Sequence, residues 1–188
     1  MSVWSTWKAE RALRHRAAAY VLHLQHEPAE EDVRWLAAHG TGGDLDHARW
    51  ELRYARRAMG LVVAERDALD DRTASAVARE LQASLGRDRN IDAGKLDVAR
   101  TQLNARLRVY AGVLAHRLRE QSTGARLGRA LLEFAGVASP GDDDIAQAGT
   151  TLAGYAADAN EALRRCFGVA SLPEDLPPSA VERAGHAP

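Results

Sequence analysis

The chain has little of what usually fixes a fold or a reaction locally. Cys166 is its only cysteine, which rules out an internal disulfide and a thiolate zinc site and suits a reducing compartment, the cytoplasm. Aromatic residues make up only 5% of the 188 residues. No stretch approaches the ~18 uninterrupted apolar residues of a membrane helix, and Met1 to Glu10 has no apolar segment of the kind a secretion signal carries. A dominant charge is missing too. The formal net charge is −1 and the pI is near 6.7, so no global field draws the molecule to nucleic acid or an anionic membrane. Lysine is nearly absent: of 25 basic residues only Lys8 and Lys95 are not arginine, a bias that fits a GC-rich bacterial genome.

What remains is leucine, alanine and arginine in a 46% hydrophobic chain, a composition that favours helix over sheet. The spacing agrees. Leu13, Ala17, Tyr20 and Leu24 recur at helical intervals in a Gly- and Pro-free run from Ser5 to His26. Pro28 separates that helix from a short one over Ala29 to His39, closed by Gly40. Asp44 caps a third helix in which Leu45, Leu52 and Met59 interleave with Ala48, Ala55, Val62 and Leu69, nearly as heptads. A break is expected near Asp71, with Thr73 or Ser75 capping a continuation to Leu85. Asp92 is the expected cap of a helix of about 30 residues that carries Leu96, Ala99, Leu103, Leu107, Tyr110, Leu114 and Leu118. A short helix around Leu127, Leu131 and Phe134 ends at Gly136. Asp142, Asp143 and Asp144 then place negative charge at the start of a last helix with Ile145, Ala148, Leu152, Tyr155, Ala159 and Leu163 on one side.

The expected fold class is therefore all-α: a bundle of four long helices and two or three short ones. One domain spans residues 1–170, and a flexible, proline-containing tail spans 171–188.

Several constellations could carry chemistry. His23 with Glu27 and His47 with Glu51 are each one helical turn apart and border apolar stripes, so the four could converge on a metal ion if their helices are neighbours. His116 with Glu120 has the same spacing but should face water. Glu65, Asp67, Asp70 and Asp71 could hold a divalent cation, with Arg66 and Arg72 as internal counter-charges. Arg49, Arg53 and Arg56 form a row on the third helix that could meet phosphates, whereas Arg100, Arg106, Arg108, Arg117 and Arg119 scatter around the next long helix. Trp50, Tyr54 and Leu61 flank the row, with Arg57 at its edge. These aromatic and guanidinium groups could meet a partner, or the helix could lie in the middle of the bundle with neighbours on both sides. Cys166 lies beside Leu163 on the apolar stripe, as a buried, unreactive thiol would.

The run Thr-Gly-Ala-Arg-Leu-Gly-Arg-Ala-Leu-Leu, Thr123 to Leu132, resembles a segment of the small helical subunits of CRISPR effector complexes; the resemblance covers ten residues and implies a subunit of a ribonucleoprotein. No residue set reads as catalytic. The expectation is a non-catalytic interaction module that self-associates or joins a larger complex through Trp50, Arg53, Tyr54, Arg57 and Leu61. Its alternatives are a His/Glu metal-binding bundle and an arginine-rich nucleic-acid-binding subunit.

Overall fold

The computed structural model describes residues 3–68, 70–116 and 122–168, with side chains from residue 7 onward. The described part is helical, without strands: α1 (Val3–Leu24), α2 (Glu30–His39), α3 (Leu45–Asp67), α4 (Asp71–Leu85), α5 (Leu96–Ala115), α6 (Thr123–Ala135) and α7 (Asp142–Phe167), with a 3-10 turn over Ala93–Lys95. Four are long and three short, as the leucine spacing indicates. None of the described helices is long and apolar enough to cross a membrane. The expected tail, 171–188, lies outside the described residues, as do Leu69 and Leu118.

Capping fixes several boundaries. The Asp44 carboxylate accepts from the backbone N–H groups of Asp46 and His47 and so starts α3. At the expected break, α3 stops at Asp67 and Asp70 caps α4 by accepting from the Thr73 N–H. This corrects the choice of Thr73 or Ser75 as cap. Asp92 is corrected as well: it makes no side-chain cap, and the 3-10 turn comes between it and α5. That helix is also shorter than expected, 20 residues, because His116 adopts an extended backbone. Ser122 caps α6, and Gly136 ends it at φ 105°, a conformation open to glycine at little cost.

The core has α3 at its centre, packed against α1, α2, α4, α5, α6 and α7. From Arg57 to Ala64 every α3 side chain is buried, so there the helix has no outward face. Leu52, Leu103, Leu131 and Leu152 are fully buried, and Leu107 is half-buried. Two close approaches depend on missing side chains. A Cβ on Gly60 would lie 2.3 Å from Leu24 Cδ2; here Tyr20 donates from its hydroxyl to the Gly60 carbonyl at 2.8 Å. Along α6 and α7 the contact is backbone to backbone, since a Cβ on Gly128 would sit 2.1 Å from the Ile145 carbonyl oxygen and one on Gly149 2.5 Å from that of Gly124.

A candidate recognition cleft beside the central helix

Ala48, Glu51, Ala55, Ala58 and Val62 follow one another on α3 at intervals of three and four, and Ala99, Leu103, Arg106 and Tyr110 do so on α5. Each series is an apolar stripe with one charge in it. Where the helices meet, the two charges meet: Arg106 donates from Nε to Glu51 Oε2 at 3.0 Å and from Nη2 to Glu51 Oε1, with side chains only 6% and 5% exposed. A fork-on-carboxylate pair satisfies both charges in fixed geometry; a buried charge without its partner costs several kcal/mol. Arg106 Nη1 donates to the Gln102 side-chain and backbone oxygens, and the guanidinium lies 4.3 Å from the Phe134 ring centre and 5.3 Å from that of Tyr54. Arg106 is thus packed on aromatic rings and locked by four acceptor oxygens. Sequence spacing treats it as one of a scattered set; its place in the α5 stripe is the signal that singles it out.

Above this pair a cleft of about 520 Å³ opens between α3, the 88–95 loop and the first turns of α5. Trp50, Tyr54, Phe134, Ile91 and Val98 give it apolar walls, and His47, Asn90 and Gln102 supply polar groups. Trp50 is half-buried, 5.5 Å from Tyr54 between ring centres, with Arg53 4.7 Å from its own centre. Burial raises the Tyr54 phenol above its ordinary pKa, so it stays neutral. His47 Nε2 lies 3.5 Å from Glu51 at the cleft's edge. The loop is held from below: Arg57 Nη2 donates to Asp88 Oδ2 at 2.6 Å with both side chains buried. Burial alone would raise Asp88, but the Asn90 N–H and the Arg57 guanidinium outweigh it and hold the carboxyl below its ordinary value.

The residues expected to meet a partner are therefore divided. Trp50 and Tyr54 line the cleft. Leu61, expected on an outward side, is 3% exposed inside the core, and Arg57 is an internal anchor. The middle-of-the-bundle alternative describes the lower half of α3.

The arginine row is also engaged within the chain. Arg49 pairs with Glu30 at 2.7 Å, Arg53 makes two hydrogen bonds to Glu27 at 3.0 and 2.8 Å, and Arg56 pairs with Asp158 at 2.7 Å. It ties α3 to α2, to the turn before it and to α7. The proposed metal set is split by the same contacts. His23 faces Asp158 at 3.7 Å, Glu27 is bound by Arg53, and His47 and Glu51 lie at the cleft. No group of three His, Cys, Asp or Glu among the described residues is placed to hold one ion. In the acidic cluster, Asp67 accepts from Arg66 and from Asn160 of α7, and Asp70 is a helix cap. Cys166 is half-buried and burial raises its thiol pKa. His116 is exposed, and Glu120 lies outside the described residues.

No protein-family model matches the chain, and neither a curated protein nor a solved structure matches it.

Proposed function

We propose that this protein is a non-catalytic helical recognition module, which works as a subunit of a larger assembly or with further copies of itself, and that the cleft beside α3 is where it recognises what it binds. The observation that carries this reading is the state of the cleft's charged groups. Arg106 and Glu51 neutralise each other below the aromatic walls, and Lys95 lies 3.7 Å from Asp92 at the rim. Reactive groups of an enzyme site are poised by an unmatched environment. These are matched, and what they leave open is shape and stacking surface, the ingredients of a binding hot spot.

Hydrogen exchange tests the reading. The natively purified assembly and the isolated chain are compared, and slower exchange is expected over Trp50 to Tyr54 and Asn90 to Gln102 in the assembly. Protection confined to α1 and α4, with the cleft unchanged, overturns it.

A further inference from the structure

The internal hydrogen bonds of the cleft leave a specific set of groups open. Asn90 Nδ2 donates to Asp88 Oδ1 at 3.1 Å, and the Asn90 backbone N–H donates to the same oxygen at 3.0 Å. Its Oδ1 has no described partner. Gln102 is the complement: Oε1 accepts from Arg106, and Nε2 has no described partner. One amide is oriented as an acceptor and the other as a donor, each by a buried ion pair behind it. The Trp50 indole carries Arg53 on one face and lines the cleft. A planar ring with its own donor and acceptor edge fits these groups; a single amide side chain can read adenine by donating and accepting at once, and here the two functions are divided between Asn90 and Gln102. The volume, about 520 Å³, is in the range of small-molecule sites. Charge narrows the class. Arg106 is bound to Glu51 and Lys95 lies by Asp92, so the arginine and the lysine lining the cleft each have a carboxylate beside them and neither stands alone to meet a phosphate.

We propose that the cleft takes a neutral purine-class heterocycle, as the free base or nucleoside, stacked on Trp50 and read at its edge by Asn90 and Gln102. The inference rests on the reading of the cleft as the recognition site and names its ligand.

Equilibrium dialysis of the full chain against adenine, adenosine, guanosine, AMP and a short single-stranded oligoadenylate tests it. Adenosine or guanosine is expected to bind with a Kd below about 1 mM, with AMP no tighter than adenosine. Trp50→Ala is expected to weaken binding at least about ten-fold through lost stacking, with Trp50→Phe recovering most of it. Gln102→Leu should cost about three- to ten-fold. Circular dichroism confirms that each variant is folded, and Asn90→Leu, at an exposed loop position, serves if either of the others is not. Three outcomes overturn the proposal: no base or nucleoside binds the folded wild type, binding is unchanged in Trp50→Ala, or only the oligonucleotide binds. The module reading fails separately. If no heterocycle binds while the native assembly still protects Trp50 and Gln102 from exchange, only the ligand class falls; if the cleft is unprotected, both do.

Discussion

The two flanks of the molecule are held together by opposite means. Between α6 and α7 there is close backbone contact at Gly124, Gly128 and Gly149, and shape alone decides the fit. Between α3, α5 and the 88–95 loop the helices are joined through buried charge, Glu51 with Arg106 and Arg57 with Asp88, and this flank leaves a cleft open. Dispersion between close-packed surfaces falls off within an ångström, so the seam itself is closed, and the hollow of about 510 Å³ at its edge is lined mainly by small residues such as Gly124, Ala125, Ala146 and Ala153. Long side chains in charged pairs bridge a wider gap, and the buried pairs set its width. The difference lies in what lines each opening: among the described residues, the charged flank brings aromatic and amide side chains to its cleft, and the glycine seam brings none.

The largest effect is expected on the charged flank. Glu51→Ala leaves Arg106 buried without its carboxylate and should cost about 3–5 kcal/mol, read as a fall in Tm of roughly 10 °C for a chain of this size. The double variant Glu51→Leu with Arg106→Met removes both charges and should recover to within about 2 kcal/mol of wild type. A double variant as unstable as the single one would show that the aromatic packing of Arg106, and not its charge pairing, holds this flank.

Next comes the glycine seam. Gly128→Ala drives a methyl group onto the Ile145 carbonyl and is expected to cost about 2–3 kcal/mol. Gly154→Ala, on the facing helix α7 at a point where nothing lies within 4 Å of the added Cβ, should instead stabilise by about 0.5–1 kcal/mol. Equal effects of the two in thermal unfolding would break the claim that the seam is set by backbone approach.

A smaller effect is expected from pH. Burial lowers the His23 pKa below its ordinary 6.5, helped by Arg56, His26 and Arg165 and opposed by Asp158. The unfolded chain therefore binds this proton more readily, so the His23 contribution is complete above about pH 6.5 and is lost as pH falls through the lower folded value. Asp88 is held below its ordinary 3.8, so its contribution is complete above about pH 4 and is lost in stronger acid. Urea midpoints measured from pH 7 to pH 2 should decline in two stages, and His23→Gln should remove the first.

The smallest stability change is expected in the exposed part of the arginine row. Arg49→Ala breaks an ion pair whose Glu30 partner is 64% exposed and should barely shift the Tm.

The long helices were legible because their leucines and alanines keep register over about three turns or more, and Asp44 was legible as a cap because it directly precedes the α3 stripe. The cleft was legible in part: Trp50 and Tyr54 stood out as aromatics beside arginines. Leu61 was misplaced because α3 is surrounded below Arg57, and the angular position of a residue does not say whether a neighbour lies on that side. Glu51 and Arg106 were hidden differently. Each was grouped by its charge, with the histidine pairs or the scattered arginines, although both sit in apolar stripes. Two opposite charges at interior register on separate helices are a signal for a buried pair, but pairing them needs to know that α3 and α5 touch, which is information between helices and not within one. The break between α4 and α5 was read through Asp92, while the 88–95 loop is held by Asp88 and Arg57, 31 residues apart in sequence.

The most direct measurement compares Trp50→Ala with Arg49→Ala in the natively expressed protein by sedimentation of the purified assembly. Loss of the assembly in Trp50→Ala, with Arg49→Ala sedimenting as wild type, is the expected result. An assembly that survives Trp50→Ala and dissociates in Arg49→Ala would place recognition on the arginine row and contradict the cleft.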